Sequence, residues 1–491
     1  MDLALLFATY AGRPSARKVS QQRMLYEALR DAIVSGALPA NTLLPATRVL
    51  AQELGIARNS ALFAYEQLST QGFLAANRRG SRVAYTSPAQ QRAPERSTDS
   101  PRALPALSHR LLTQRREPPA APGSLSFSPG SPALDKFPLA QWRTAMTRAW
   151  RRVDASHLDY AQTAGTPELR NAIADYLRVS RGVRCDVDQV FITHGTQASL
   201  DVCARILANA GDHAWIEDPG YSGVRAAFEG AALSVVPIAV DANGMAPSDE
   251  DWSARPPTLI YVTPSHQYPL GSVLSAQRRQ ALLDVAGTTG AWIIEDDYDS
   301  EFRHAGSPTL AMQGMRDPSP VIYIGTFSKT MFPSLRIAFM VVPKTLAQQF
   351  AQTLGDISRH GRVADQLALT DFIRSGAYAL HLRRMKILYA RRRTALQTAL
   401  ARHLSGALTV SGGAAGMHLT ARLEVPLSDV DVCERARAFG MTIFALSRYC
   451  LDPAARHRYN GFVLGYSGVP EDQADTAMRQ LADIISSMLT R

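Results

Sequence analysis

Lys329 closes the stretch Gly325-Thr326-Phe327-Ser328-Lys329, directly after the apolar run Val321–Ile324. A lysine placed there, among small hydroxylated residues, can condense with an aldehyde to form a Schiff base. Four other short apolar runs end in polar clusters. Val190–Thr193 leads to His194-Gly195-Thr196-Gln197, and Ala214–Ile216 leads to Glu217-Asp218-Pro219-Gly220-Tyr221. Leu259–Val262 leads to Thr263-Pro264-Ser265-His266-Gln267, and Ala291–Ile294 to Glu295-Asp296-Asp297-Tyr298. Gly195, Thr196 and Gln197, opening a helix, offer free amides and a positive dipole end to a phosphate. Arg336, seven residues beyond the lysine, adds a fixed cation, with the Thr326 hydroxyl beside it. Asp296 can hold a pyridine nitrogen protonated, Tyr298 can donate to a ring oxygen, and Tyr221 can stack on an aromatic ring. Singly, each has a blander reading: a solvated lysine, a strand terminus, a core tyrosine. Jointly, a phosphate cradle, an aldehyde-reactive lysine and an acid for a pyridinium specify pyridoxal 5′-phosphate.

Polar clusters at five consecutive strand ends require a scaffold that brings those ends together. The runs lack polar alternation, as expected for strands buried on both faces of a mainly parallel sheet. Ile337–Val342 reads as a sixth strand, and helical patterns such as Ser199–Ala210 and Ala276–Val285 separate the runs. That alternation predicts an α/β domain whose site lies beyond the carboxyl ends of the strands. After about Gly361 the helices lengthen (Asp365–Ile373, Tyr378–Leu404). Strand-like pieces at Met417–Leu423 and Phe462–Tyr466 and a last helix from Glu471 then form a smaller α/β lobe.

The charge is unevenly placed. Of the 53 basic and 43 acidic side chains, residues 1–124 hold 16 and 8, leaving 37 and 35 for the rest. A basic end on a near-neutral body implies an appendage that meets a polyanion, either nucleic acid or an anionic membrane surface. In this reading the body's positive groups converge on one small phosphate. The four cysteines are widely spaced without a C-x-x-C pair, so neither a disulfide framework nor a zinc module is supported. No apolar run approaches the length that spans a bilayer, and the first basic residues follow the apolar start, the reverse of a secretion signal. The expectation is a soluble, cytoplasmic protein.

Residues 86–124, with seven prolines, read as a linker containing one short helical stretch, Ala106–Gln114. Before it, residues 1–85 read as three helices (Gln21–Ser35, Ala46–Leu54, Ala57–Gln71) and a basic hairpin around Asn77–Arg82. Leu25, Leu29 and Ile33, then Ala61, Ala64, Tyr65 and Leu68, form the buried stripes, while Gly55 and Gly72 end helices. Two helices joined by a glycine turn, followed by a basic hairpin, make a winged helix-turn-helix. Arg58, Asn59 and Ser60 at the start of its third helix can reach base edges, and Arg48 can anchor a phosphate. Arg78, Arg79, Gly80, Ser81 and Arg82 place the wing against the backbone or minor groove. The alternative is a solvated basic bundle.

The head resembles the GntR superfamily DNA-binding domain over residues 18–85. The matching stretches are Leu44-Pro45-Ala46-Thr47-Arg48-Val49-Leu50-Ala51, Leu54-Gly55-Ile56-Ala57-Arg58, Ala64-Tyr65-Glu66-Gln67-Leu68 and Gly72-Phe73-Leu74. It departs at Ala46 and Ala57, where that family has serines, so both helix caps are weakened by about 1 kcal/mol. Residues 125–491 resemble a fold-type I aminotransferase through the five clusters above. Phe137-Pro138…Trp142, Leu169-Arg170, His381-Leu382-Arg383-Arg384-Met385 and Tyr389…Arg391-Arg392 extend the match. The combination resembles the MocR family of transcriptional regulators. The resemblance implies a homodimer, heads packed on the partner's body, double-stranded promoter half-sites as target, and an amine, amino acid or PLP as effector. It also implies that Tyr160 reaches the partner's cofactor phosphate.

Two departures bear on catalysis. Tyr268-Pro269-Leu270-Gly271 stands where many aminotransferases have Asn-Pro-x-Gly, removing an amide to the ring oxygen. Val463-Leu464-Gly465-Tyr466 stands where they carry a carboxylate-binding arginine, although Arg448, Arg456 and Arg458 are near in sequence. A retained lysine with a lost clamp favours sensing through an internal aldimine on Lys329 over turnover. Three readings stay open: a regulator, an active aminotransferase with an appended basic domain, and a cofactor-free scaffold.

Overall fold

The computed structural model describes residues 2–12, 19–77, 80–85, 124–160, 162–304, 310–357 and 361–490. The linker, its Ala106–Gln114 stretch, and the wing-tip pair Arg78 and Arg79 lie outside the described residues. The chain forms two compact units, residues 1–103 and 104–491.

The first unit contains α1 (Leu3–Ala11), α2 (Gln21–Val34), α3 (Thr47–Leu54), α4 (Arg58–Thr70) and the hairpin β1 (Leu74–Asn77) and β2 (Gly80–Val83). The expected stripes close one core: Leu25, Leu29 and Ile33 of α2 meet Leu50 of α3 and Ala61, Ala64, Tyr65 and Leu68 of α4. Gly55 ends α3 with φ +63°, a left-handed conformation that costs glycine little. α1 was not expected as a helix. Asp2 caps it by accepting from the Ala4 and Leu5 amides, and Leu3, Leu6 and Phe7 pack on the same core.

The second unit is built on an eight-stranded sheet. In chain order its elements begin with β3 (Leu125–Ser126), α5 (Leu139–Arg152), α6 (Pro167–Ser180), β4 (Val190–Thr193), α7 (Thr196–Leu207), β5 (His213–Asp218), α8 (Ser222–Gly230), β6 (Ser234–Asp241) and β7 (Gly244–Met245). Then come β8 (Leu259–Val262), α9 (Ala276–Thr289), β9 (Trp292–Asp297), β10 (Val321–Thr326) and β11 (Ala338–Val341). The strand order is β4-β11-β10-β9-β8-β5-β6-β7. β10, β9, β8, β5 and β6 run parallel, while β11 is antiparallel to both its neighbours. β4 and β5 therefore lie far apart in the sheet although consecutive in the chain, and the crevice between their onward connections is where ligands bind in such folds. The expected strands are present. β6 and β7 were not anticipated, and β9 extends to Asp297, so the carboxylates sit on the strand rather than after it.

The small lobe follows α10 (Ala347–Ile357), α11 (Val363–Arg374) and the 27-residue α12 (Ala377–His403). β12 (Leu408–Ser411), β13 (His418–Leu423), β15 (Phe444–Ala445) and β16 (Gly461–Gly465) form an antiparallel sheet in the order β12-β13-β16-β15. α13 (Asp429–Ala438) and α14 (Glu471–Leu489) accompany it. β14 (Met441–Thr442) pairs in parallel with β3, so the lobe expected from about residue 361 also takes in the chain around 125–126. That return brings Ser128-Pro129-Gly130 over the strand ends.

Candidate functional site

Lys329 is approached from a side that its own neighbourhood in sequence does not indicate. Lys329 is half-buried, and a Cβ built on Gly130 would lie 2.8 Å from its Nζ. Gly130 has φ +68°, so a side chain there is excluded by both space and backbone conformation. The segment is held by a hydrogen bond from the Gly465 N–H to the Phe127 carbonyl, at 2.8 Å. Burial lowers the Lys329 pKa, opposed by the charges of Asp299 and Asp296. A lysine so displaced offers its neutral amine more readily to an aldehyde.

Asp296 lies at 4% exposure near the end of β9. Its Oδ2 accepts from the Tyr261 hydroxyl at 2.7 Å, and its Oδ1 has no hydrogen-bond partner among the described residues. Burial raises its pKa to about 7; the Tyr261 bond and Lys329 oppose this rise, and Asp297 adds to it. A buried carboxylate oxygen without a donor is costly, and a protonated pyridine nitrogen would satisfy it. Asp297 is occupied otherwise: Arg181 Nε donates to it at 2.7 Å and the Tyr323 hydroxyl at 2.5 Å. Both donors go to Asp297 Oδ2, so Asp297 Oδ1, like Asp296 Oδ1, has no hydrogen-bond partner among the described residues; the two carboxylates differ in that Asp297 is held by the Arg181 guanidinium.

The residues expected to hold a phosphate gather around the start of α7. Gly195 is the N-cap of α7 with φ +103° and makes no side-chain cap. A Cβ there would lie 2.8 Å from Arg336 Nη2, so the guanidinium sits against the bare glycine beside the free amides of Thr196 and Gln197. Gln197 Nε2 donates to the Gly223 carbonyl at 2.9 Å, joining α7 to α8. Thr326 is buried at the end of β10 and accepts from the Ser328 N–H at 3.2 Å. Tyr221 stands at the start of α8, edge-on to Tyr268 at 6.3 Å between centroids.

Tyr298 is bonded within the protein, and Tyr160 lies apart from the other groups. The Tyr298 hydroxyl donates to the His266 carbonyl at 2.9 Å and lies 3.0 Å from His266 Nδ1, so histidine groups hold the phenol. Tyr160 is not gathered with the others: its ring is 80% exposed, and its N–H bonds the Asp159 carboxylate.

Sequence reasoning missed Gly130, Tyr261, Arg181, Asp299 and His418. His266 Nδ1 lies 3.1 Å from Asp299 Oδ2, and the His266 and His418 rings are 4.8 Å apart. His418 and Thr420 of β13 both bond the Pro269 carbonyl, at 3.0 and 2.6 Å, which fastens the small lobe to the loop after β8. Burial pushes the His418 pKa down to about 3, so that ring is neutral. Glu217, beside Thr263, is raised by burial to about 7. For His266 the signal was present, since it lies in a quoted cluster. For His418, more than 80 residues beyond Lys329, there was none. At the expected clamp position β16 is apolar, and the Tyr466 hydroxyl donates to the Gly416 carbonyl at 2.6 Å. Arg448 lies 3.7 Å from Glu434, and Arg458 lies over the Tyr459 ring.

In the head, Arg48, Arg58 and Asn59 are exposed, Ser60 is half-buried, and Ala46 and Ala57 make no cap bond. Gly80 and Ser81 stand on β2, and the Arg82 guanidinium donates to the Asn41 carbonyl at 2.8 Å. Among the described residues, no helix is long and apolar enough to cross a membrane.

These features define a pyridoxal-phosphate fold of the aminotransferase kind with a winged-helix head, and comparison with known proteins agrees. Residues 124–439 match the family "Aminotransferase class I and II", and residues 21–83 match "Bacterial regulatory proteins, gntR family". The chain is 39% identical over 454 residues to the probable rhizopine catabolism regulatory protein MocR of Rhizobium meliloti, covering 92% of this chain and 91% of that one. It is 30% identical to the pyridoxine biosynthesis transcriptional regulator PdxR of Corynebacterium glutamicum, over 94% and 95% of the two chains. Kynurenine aminotransferase of Pyrococcus horikoshii shares the fold, with a TM-score of 0.68 at 23% identity over 79% of this chain and 95% of that one. The chain belongs to the MocR family of transcriptional regulators, and its cofactor is pyridoxal 5′-phosphate.

Proposed function

We propose that the protein is a cytoplasmic, homodimeric regulator that binds two promoter half-sites and responds to PLP or an amino compound at Lys329. One observation supports the sensing reading: Lys329, Asp296 and the bare start of α7 with Arg336 against it are all present, while β16 presents no guanidinium for a substrate carboxylate. Asp296 Oδ1 would meet the pyridine nitrogen, and Gly195, Thr196, Gln197, Thr326 and Arg336 the phosphate. Tyr221 would cover the ring. The bound cofactor supplies an aldehyde that an incoming amine can take over from Lys329. Around it, Tyr298, whose hydroxyl donates to the His266 carbonyl, would serve the ring oxygen, and Gly130 would pack against the lysine. Tyr160 would serve the partner's pocket, which agrees with its exposure here.

Arg48, Arg58, Asn59, Ser60 and the wing residues Arg78, Arg79, Gly80, Ser81 and Arg82 would contact DNA. An effector that favours one arrangement of the two heads shifts promoter affinity by its differential binding. The test titrates PLP and candidate amino compounds into the protein while following both the visible absorbance of lysine-bound cofactor and promoter binding. A compound that changes both identifies the effector. Absorbance changes that never alter DNA binding sink the sensing reading. Transaminase turnover is the second reading, favoured by the lowered Lys329 pKa beside Asp296. Steady conversion of an amino donor with a keto acid would establish it.

A further inference from the structure

The near-neutral total of the body conceals a strong separation of charge. α5 and α12 carry eleven of the body's 37 basic side chains and none of its 35 acidic ones. Everything else in residues 125–491 is therefore acidic, 26 against 35. This corrects the expectation that the body's positive groups converge on one small phosphate.

The two helices border a common groove of about 350 Å³, lined by Gln141, Thr144 and Arg148 of α5, by Ser375 and Gly376, and by Leu380 of α12. On α12, positions 383 and 384 lie one turn beyond Leu380 and share its face; on α5, position 151 follows Arg148 by three residues. Arg148, Arg151, Arg374, Arg383 and Arg384 are all exposed, and among the described residues none forms an ion pair. The acid at this face, Asp371, is taken by Arg152 at 2.9 Å. His381 beneath is buried and bonded to the Thr330 carbonyl. Four of these arginines stand on the acid-free α5 and α12, and Arg374 ends α11, whose Asp371 is already taken; unpaired and exposed, they add little to the fold, and a polyanion would explain them.

We propose that this face of α5, α11 and α12 binds the phosphate backbone of duplex DNA flanking the half-sites, without regard to sequence. The inference rests on the DNA-binding reading of the head. Four or five phosphate contacts alone give weak binding at physiological salt, on the order of 10⁻⁴ M. A duplex already held by the heads is present at an effective concentration of about millimolar, which suffices.

The experiment uses the full-length, cofactor-loaded protein and a duplex selected by its binding, in two lengths: the protected half-sites alone, and the same sites with flanks. The variant is Arg148→Gln with Arg383→Gln and Arg384→Gln. On the long duplex, the slope of log affinity against log salt is expected to fall by about 3 relative to wild type, since each phosphate contact contributes about 0.9. Affinity for the short duplex and the lysine-bound cofactor absorbance stay unchanged, and a hydroxyl-radical footprint on the flanks disappears. An unchanged slope on the long duplex overturns the proposal. So does an altered elution volume of the variant, which would make the face a subunit contact. Failure of the selection to yield any duplex that the wild type binds would instead sink the DNA reading of the head.

Discussion

The head and the body each present the N-terminus of a helix where a phosphate is expected, and they do so differently. In the head, α3 and α4 start at Ala46 and Ala57, residues of ordinary extended conformation (φ −60° and −66°), with Arg48 and Arg58 exposed beside them. In the body, α7 starts at Gly195 with φ +103° and Arg336 against it. None of the three starts makes a side-chain cap, so the amides remain available in each. The difference is concavity. A polyanion is met by a surface with exposed cations, whose binding weakens with salt. A single phosphate is met by bare backbone, where one methyl group would fill the space.

The largest test of that contrast is Lys329→Ala, which should abolish the visible absorbance of lysine-bound cofactor while leaving promoter binding by the cofactor-free protein measurable. Retention of that absorbance would mean that another lysine carries the cofactor. Gly195→Ala should weaken PLP affinity by roughly 10- to 100-fold, because it combines backbone strain of about 1–3 kcal/mol with a collision against Arg336. Fluorescence titration measures this, and a change below twofold would show that the cradle is not the phosphate site. Arg58→Ala with Arg79→Ala should reduce promoter affinity and lower the salt slope by about 2. An unchanged slope would place the DNA surface elsewhere.

A smaller effect concerns pH. Asp296 is raised in the folded protein to about 7, so between the unfolded value near 4 and pH 7 the folded state binds more protons. Stability of the cofactor-free protein should therefore fall as pH rises through that window and level off above it. Asp296→Asn should flatten part of the slope seen in thermal melts, the remainder coming from Glu217, Glu295 and Glu301, also raised to about 7. An identical slope in the variant would contradict the burial argument. Smallest is Ala57→Ser, which restores a cap and should stabilise the head by about 1 kcal/mol. Chemical denaturation followed by a head-specific probe would register it.

Much of the site was legible because the chemistry is local in sequence. Gly195-Thr196-Gln197, Glu295-Asp296-Asp297-Tyr298 and Thr326…Lys329 each lie within a few residues of a strand end, and parallel strands bring such ends to one side. The head was legible for a related reason, since Leu25, Leu29, Ile33 and Leu68 follow helical periodicity and do pack together. β6 does carry an apolar run, Val235–Val240, but Pro237 within it argues against a sheet strand on sequence alone, and its burial alternates before the short antiparallel turn to β7.

What the sequence determined by itself is therefore composition and order: two domains, a basic head, a lysine, an acid and a phosphate-binding helix start in series. Tertiary structure decided which groups remain available to a ligand. Arg181 and Tyr323 engage Asp297 Oδ2, while Asp296 Oδ1 and Asp297 Oδ1 are buried without a donor among the described residues; His266 takes the Tyr298 hydroxyl; Gly130 returns over Lys329 because β3 pairs with β14. It also turned a body of near-zero net charge into one with a cationic face on α5 and α12. The physical reason is the same throughout. Hydrogen bonding, desolvation and charge repulsion act between side chains at distances of a few ångströms, and residues hundreds of positions apart reach those distances only when the chain is folded.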